Sequence, residues 1–235
     1  IVKRVSMPLI VLLFTGPFAW AQSASPPPPI KSLDLAGQTN RQVIVDREPG
    51  QYLGHPTTVL LEDGKTIVIV YPKGHGKGAI ILKRSADGGL TWSDRMPTPE
   101  NWSTSLETPT IHRVVDHAGK KRLIVFSGMM PIRSSLSEDD GVTWTPLKSI
   151  GDFGGIVAMA SVERLKDGTY MALFHGDGSP AVAGKSEPRR FRVKKTLSRD
   201  GGLTWSEPVV IAESDELRLC EPGLVRSPDG RQIAV

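Results

Sequence analysis

The amino-acid sequence predicts an all-β protein, a β-propeller of four-stranded blades, on three observations. One eight-residue motif occurs three times, hairpin signals recur in phase with it, and no long apolar stripe at helical spacing interrupts them. Of the 235 residues, 39% are hydrophobic, which is enough to build a buried core. Because a six-bladed ring needs about 50 residues for each blade, the chain is predicted to be an N-terminal fragment of about three to four blades.

The repeated motif is Ser-x-Asp-x-Gly-x-Thr-Trp, an Asp-box. Its copies are Ser85–Trp92, Ser137–Trp144 and Ser198–Trp205. The Asp can accept backbone N–H groups in a tight turn, and the Gly two residues later can take a positive φ. Thr and Trp are then expected to begin the next strand. The motif is therefore predicted to be structural, in a hairpin that supplies the last two strands of a blade.

The hairpin signal is a pair of extended segments joined by a turn that carries Asp and Gly. It occupies residues 56–71, 109–126, 160–174 and 222–235. The turn aspartate stands seven residues after the first residue of each segment. These hairpins are predicted to supply the first two strands of each blade, which gives three complete blades and the start of a fourth.

The first residues are typical of a secretory signal peptide, with a basic start at Lys3 and Arg4, an apolar stretch, and a cleavage site at Ala19-Trp20-Ala21. The alternative is a membrane anchor, but the apolar stretch is shorter than the ~20 residues that a spanning helix needs. The protein is therefore expected to be periplasmic or extracellular, with no membrane span after cleavage. The predicted organisation is a signal peptide (1–21), a Ser/Pro-rich linker and lead-in segment (22–44), and a propeller truncated at its C-terminus (45–235).

Composition excludes several function classes. The net charge is +4 with scattered basic residues, so no nucleic-acid partner is predicted. The single cysteine, Cys220, excludes an intramolecular disulfide and a thiolate zinc cluster, and is expected to be buried. The five histidines form no HExxH motif, so no metal or other cofactor is predicted. The chain begins with Ile1 and stops at Val235 inside an apparent strand, so it is interpreted as a fragment that is inactive alone.

With these motifs, the chain resembles the sialidase (neuraminidase) family, also called the BNR or Asp-box repeat family, over about residues 45–235. The resemblance implies a six-bladed propeller that removes terminal sialic acid, or a related acidic sugar, from a glycan or sialoglycoconjugate. Family members grip the substrate carboxylate with three arginines, whose planar forks suit it, and use a Tyr nucleophile, a Glu base and an Asp acid/base. The Tyr and two of the arginines would lie beyond Val235.

Two glutamates match positions that the resemblance marks. Glu221, in the segment Cys220-Glu221-Pro222-Gly223, matches the family's Glu and is the candidate general base. The alternative is a structural carboxylate bonded to a neighbouring turn. Glu107 precedes Pro109 much as Glu221 precedes Pro222, and is predicted to face the central channel and bind substrate.

Two departures from the family pattern stand out. Gly54-His55-Pro56 replaces Arg-Ile-Pro, so Gly54 occupies the arginine position and His55 is the candidate contact for an acidic group. The loop over residues 71–79 lacks the expected Asp, so His75 is the candidate proton donor and Lys73 a candidate anion-binding residue. The alternatives are a structural role for His55 and a flexible, solvated turn for the loop.

Three functions remain open at this stage. The first is the glycoside hydrolase that the resemblance implies, with a substrate or an acid catalyst that differs from the family norm. The second is a non-catalytic Asp-box propeller that binds glycan or protein. The third is a structural module with no site.

Overall fold

The computed structural model describes residues 32–176 and 191–235. The predicted signal peptide (1–21) lies outside these residues, as do the four prolines of the predicted linker. Among the described residues, no helix is long and apolar enough to span a membrane.

The chain divides into two units, residues 1–42 and residues 43–235. The described part of the first unit contains a single-turn 3₁₀-helix, Thr39–Arg41. The second unit holds the sheets and, between the first two of them, a short 3₁₀-helix over Glu100–Thr104.

The second unit forms four antiparallel sheets, so the all-β prediction is confirmed. The first sheet contains β1 (Thr57–Leu60), β2 (Ile67–Pro72) and β3 (Ile80–Ser85). The second contains β4 (Thr110–Val115), β5 (Lys121–Ser127), β6 (Arg133–Ser137) and β7 (Lys148–Ser149). The third contains β8 (Ile156–Arg164), β9 (Tyr170–Gly176), β10 (Arg192–Ser198) and β11 (Val209–Glu213), and the fourth pairs β12 (Val225–Arg226) with β13 (Ile233–Ala234).

Each sheet opens with one of the predicted Asp-Gly hairpins. In the first, Oδ1 of Asp63 accepts the backbone N–H groups of Lys65 at 3.0 Å and Thr66 at 2.8 Å. Gly64 takes φ +71°, a conformation that costs glycine little. Because the aspartate satisfies the N–H groups that the turn exposes, the reversal falls at the residue where the sequence predicts it.

The Asp-boxes close the third strands and are structural, as predicted. Oδ1 of Asp87 accepts the backbone N–H of Thr91 at 2.9 Å and the hydroxyl of Ser85 at 2.8 Å. The Ser85 hydroxyl accepts the N–H of Gly89 at 2.8 Å, and Nε1 of Trp92 donates to the Gly89 carbonyl at 3.1 Å. The bonds from Thr91 and Ser85 lower the pKa of Asp87 to about 2. The other two copies repeat these four bonds.

One local expectation was wrong: the Thr-Trp pair does not begin a strand. β7 starts four residues after Trp144 and β11 four residues after Trp205, because each indole folds back on its own glycine carbonyl. Within the described residues, the first sheet has no fourth strand. Pro97 and Pro99 follow Trp92 there, and proline has no N–H to offer a strand ladder.

Two of the Asp-box tryptophans, Trp144 and Trp205, pack between neighbouring sheets. Trp144 meets Trp102 edge-on at 5.3 Å in a cluster shared by the first and second sheets. Trp205 meets Phe126 edge-on at 5.6 Å in a cluster shared by the second and third. Burying aromatic side chains of this size makes a large contribution to the hydrophobic stabilisation of the fold.

The first strands of the four sheets lie next to one another in chain order. The Thr110 hydroxyl donates to the Ala158 carbonyl at 2.8 Å, which joins β4 to β8. The N–H of Leu224 donates to the Ser161 hydroxyl at 3.0 Å, which joins the segment before β12 to β8. β1 packs against β4 in the same way. The segments that precede these strands are thereby brought to one side of the sheets.

Candidate functional site

The backbone is strained at one repeated position, the residue just before the predicted hairpin segments that begin at residues 56, 160 and 222. His55, Met159 and Glu221 adopt φ values of +51°, +53° and +52°, and each stands eight residues before the turn aspartate of its hairpin. For residues other than glycine this conformation costs about 1–2 kcal/mol, and such strain clusters at functional sites. Thr108 holds the same position in the second sheet, directly after Glu107.

Glu107 is half-buried in a space that two glycines leave open. A Cβ on Gly128 would lie 2.8 Å from Cγ of Glu107, and a Cβ on Gly76 would lie 3.7 Å from Oε1. The same oxygen accepts the backbone N–H of Thr108 at 2.7 Å. The carboxylate of Glu107 therefore lies against the loop over residues 71–79, where the sequence shows no acidic residue.

Burial raises the pKa of Glu107 above the usual range of a glutamate. The hydrogen bonds from Thr108 and the charge of His55 oppose this rise, whereas the negative charge of Glu221 adds to it. The structure thus brings three of the predicted site residues, His55, Glu107 and Glu221, within electrostatic reach of one another, although they precede strands of three different sheets.

Three aromatic rings form a cluster beside Glu107. His55 and His75 meet at 4.8 Å between ring centroids, and Tyr52 lies 5.3 Å from His75 and 6.0 Å from His55. All three side chains are exposed. The sequence reasoning missed Tyr52, although an aromatic residue two positions before Gly54 was the available signal.

Lys73 has a different environment from the one predicted. Its Nζ forms an ion pair with Glu48 at 2.9 Å. Its backbone N–H donates to the Ala79 carbonyl at 2.8 Å, which closes the glycine-rich loop that carries His75. The ion pair holds the ammonium group of Lys73 at Glu48, and not at Glu107 or the ring cluster.

The segment around Glu221 is tied to the end of β9. The backbone N–H of Glu221 donates to Nδ1 of the buried His175 at 3.1 Å. Burial lowers the pKa of His175, an effect that the charge of Glu221 opposes and that of Arg218 reinforces. Cys220, expected to be buried, is exposed because it lies in this irregular surface segment.

Arg218 is a second residue that the sequence reasoning missed. Its guanidinium lies 4.7 Å from the ring centroid of Phe191, and that ring meets His175 edge-on at 5.3 Å. The arginine is exposed and forms no ion pair with residues 32–176 or 191–235. A guanidinium held over an aromatic face keeps its donors free for an anion.

A cavity of about 300 Å³ lies at the turn end of the hairpins, where Arg113, Arg122 and Tyr170 are among its lining residues. Arg113 forms an ion pair with Glu62, and Arg122 pairs with Asp116 at 2.8 Å. These cations already have acidic partners within the protein. Nowhere in the described part of the chain do three or more His, Cys, Asp or Glu side chains form a group that could hold a metal ion.

The repeated sheets and the Asp-box turns define an all-β protein of the Asp-box repeat class. A family model described as "BNR repeat-like domain" matches residues 41–234, and the chain belongs to this family. No curated protein matches the chain.

Two solved structures are similar in fold. A protein of unknown function from Dyadobacter fermentans DSM 18053 shares 18% identity, with a TM-score of 0.50 over 79% of this chain and 57% of that one. A GH43_12 protein retrieved from a capybara gut metagenome shares 14% identity, with a TM-score of 0.50 over 76% of this chain and 35% of that one. The chain therefore spans little more than half of the first protein and about a third of the second.

Proposed function

We propose that this chain is part of an exported glycoside hydrolase that removes a terminal acidic sugar, sialic acid or a related one, from glycans. The observation that carries the proposal is the half-buried carboxyl group of Glu107, which lies against the loop of His75 and within electrostatic reach of His55 and Glu221. Membership of the BNR repeat-like family and the likeness to a GH43_12 fold support a glycan-acting protein. In this proposal the four sheets are blades of a six-bladed propeller, and His55 and Glu221 face its central channel.

The two glutamates supply the acid and the base. Burial keeps a proton on Glu107 at a higher pH than on an exposed glutamate, so Glu107 donates that proton to the glycosidic oxygen as the C–O bond breaks. Glu221 accepts the proton released as water adds to the sugar. One water is consumed, and the products are the free sugar and the shortened glycan.

His75 is the proton donor that the sequence predicted, whereas Glu107 was predicted to bind the substrate. His75 lies on the same loop that contacts Glu107, and its ring packs on His55. The two donors are separable, because Glu107→Gln removes the buried acid and leaves the ring cluster intact, whereas His75→Gln does the reverse. A general acid must be protonated to act, so kcat falls as the pH rises through its pKa. We expect Glu107→Gln to abolish this pH dependence of kcat and His75→Gln to shift it only slightly.

Arg218 supplies the positive charge that an acidic sugar requires. Gly54 offers no side chain at the position where the resemblance places an arginine, and Lys73 is held by Glu48. The exposed guanidinium of Arg218 stands three residues before Glu221 and can donate two parallel hydrogen bonds to a carboxylate. Arg218→Lys is therefore expected to raise KM for an acidic substrate by about tenfold, since an ammonium lacks the planar fork.

The main test is turnover of fluorogenic glycosides by the full-length protein. Sialosides and hexuronides are compared with neutral glycosides, using Glu221→Gln and Glu107→Gln as active-site variants and Glu100→Gln as an exposed control. We expect each active-site variant to lose roughly 10²–10⁴-fold in kcat, and the control to lose nothing. Binding of glycans without any turnover would replace the hydrolase with the non-catalytic glycan-binding function.

Export is tested separately by N-terminal sequencing of the mature protein recovered from its native host. Cleavage after Ala21 predicts a mature chain that begins at Gln22, in the periplasm or the medium. Recovery of an uncleaved chain from the cytoplasm would overturn this part of the proposal.

A further inference from the structure

The ring of Tyr52 occupies the space that a side chain at position 54 would fill. A Cβ built on Gly54 would lie 2.5 Å from the Tyr52 hydroxyl oxygen, 2.6 Å from Cε1 and 2.7 Å from Cζ. Gly54 does not adopt a left-handed φ, so its backbone alone does not require glycine. A side chain at position 54 would therefore have to displace the ring of Tyr52, which lies over the glycine.

Tyr52 is also unusually open for a large aromatic residue. It is 50% exposed, although its ring packs against His75 in a T-shaped contact at 5.3 Å. The bridge between Leu53 and Lys73 pairs the neighbouring backbone with the residue that follows β2, which anchors the backbone next to Tyr52. An aromatic ring that stands on an anchored backbone, is open to solvent and packs on a candidate catalytic group is a ready surface for a ligand.

We propose that Tyr52 is the platform on which the sugar ring of the substrate stacks, through a pyranose face that carries only C–H groups. This assignment rests on the proposed function for the location of the site, and it adds the way the sugar is recognised. An aromatic face attracts polarised C–H groups, and a tyrosine loses little conformational freedom when it binds.

The pairing of Tyr52 with Gly54 explains why no arginine stands at position 54. Any longer side chain there would displace the ring. The segment before β1 therefore recognises a neutral face of the sugar, and the charged group of the substrate is oriented towards another part of the site. Selectivity at this segment depends on the orientation of the ring hydroxyls, because axial and equatorial hydroxyls leave different C–H faces free.

The test uses binding and kinetics of the full-length protein with methyl α-sialoside, methyl β-galactoside and methyl β-glucuronide as probes. Tyr52→Phe keeps the ring and is expected to bind the preferred probe within about threefold of the wild type. Tyr52→Ala removes the ring and is expected to weaken binding roughly 10- to 50-fold and to raise KM with little change in kcat. Its melting temperature should stay close to the wild-type value, because the side chain is half exposed.

Gly54→Ala provides an independent check, because it displaces the ring without deleting it. It should weaken binding about as much as Tyr52→Ala, and the double variant should be no worse than either single one. If the losses of binding in the two single variants add up in the double variant, or if Tyr52→Ala binds as well as the wild type, the assignment of Tyr52 as the platform is wrong. The failure of all three probes to bind would also overturn it. Absence of turnover with ring-dependent binding would reject the hydrolase and leave the platform standing.

Discussion

The backbone N–H of Glu221 donates a hydrogen bond to Nδ1 of His175 at 3.1 Å. Nδ1 can accept this bond only when it carries no proton, so the imidazole is neutral and its hydrogen is on Nε2. Burial favours this neutral form, because it lowers the pKa of His175. The bond holds the strained backbone of Glu221 in place, and it makes that restraint dependent on the protonation state of a buried histidine.

The first prediction concerns this restraint. His175→Leu removes the acceptor, and we expect the Glu221 amide to exchange its hydrogen up to about tenfold faster, as expected for the loss of one net hydrogen bond. Hydrogen exchange read by mass spectrometry or NMR measures the effect. His175→Asn is the matched control, because its side-chain oxygen can accept the same N–H. Equal exchange in the wild type and the Leu variant would show that the bond carries no restraint.

The same bond gives a pH dependence with a definite sign. Folding lowers the pKa of His175 below the value of about 6.5 that it has in the unfolded chain. The contribution of His175 to the stability of the fold is therefore complete above about pH 6.5 and declines as the pH falls below it. Protonation at Nδ1 breaks the bond to Glu221. Protection of the Glu221 amide should therefore fall on acidification in the wild type but not in His175→Asn. A pH-independent amide in the wild type would contradict this.

The second prediction is that Glu107→Gln stabilises the protein at neutral pH. Folding raises the pKa of Glu107, so the ionised form is disfavoured in the folded state. The stability that the protonated Glu107 contributes to the fold is therefore lost as the pH rises through its folded pKa. Glutamine carries no charge and can still accept the N–H of Thr108. We expect a gain of up to about 1 kcal/mol at pH 7 and none at pH 4, measured by urea unfolding. A loss of stability at pH 7 would indicate a structural glutamate.

The third prediction separates the Asp-boxes from the chemistry. Asp200→Ala removes the acceptor for Thr204 and for Ser198, and should destabilise the fold by about 2 kcal/mol. The free energy of unfolding in urea measures the loss. Asp94→Ala, at an exposed aspartate outside the motif bonds, should change stability by less than about 0.5 kcal/mol. Wild-type stability of Asp200→Ala would leave the motif without its structural role.

The fourth prediction concerns His112, which lies on β4 and whose Nε2 donates to the Met159 carbonyl at 2.8 Å. Burial lowers the pKa of His112 to about 4, so the unfolded chain takes up a proton first, and stability falls as the pH drops from about 6.5 towards 4. His112→Gln can keep the bond to Met159 and cannot titrate. Its urea midpoint should therefore vary less with pH over this range, and identical slopes for both proteins would contradict the assignment.

The sequence predicted the parts of the fold that depend on neighbours along the chain. The turn at Asp63 and the Asp-box at Asp87 are closed by hydrogen bonds that reach at most four residues, so a short motif contains every group they need. The all-β class and the phase of the hairpins follow from such turns. The Thr-Trp pairs were wrongly expected to begin strands, because the packing of Trp144 and Trp205 depends on the space between the sheets.

Within the candidate site, the sequence named residues but not their relationships. Glu107 and Glu221 were each found from their place before a strand. The influence of one charge on the other exists only because the fold brings together segments that are far apart in sequence. Tyr52 and Arg218 carry no motif, and the partner of Lys73 comes from a segment outside its own hairpin.

The sequence by itself thus determined the repeated turns, the strands between them, and the family to which they belong, because hydrogen bonds between near neighbours fix those features. Only the tertiary structure decided that Glu107 is half-buried beside Glu221, that Lys73 is held by an ion pair, and that Tyr52 fills the place of a side chain at Gly54. Burial, charge coupling and steric exclusion depend on distances in space, and a linear pattern of residues does not contain those distances.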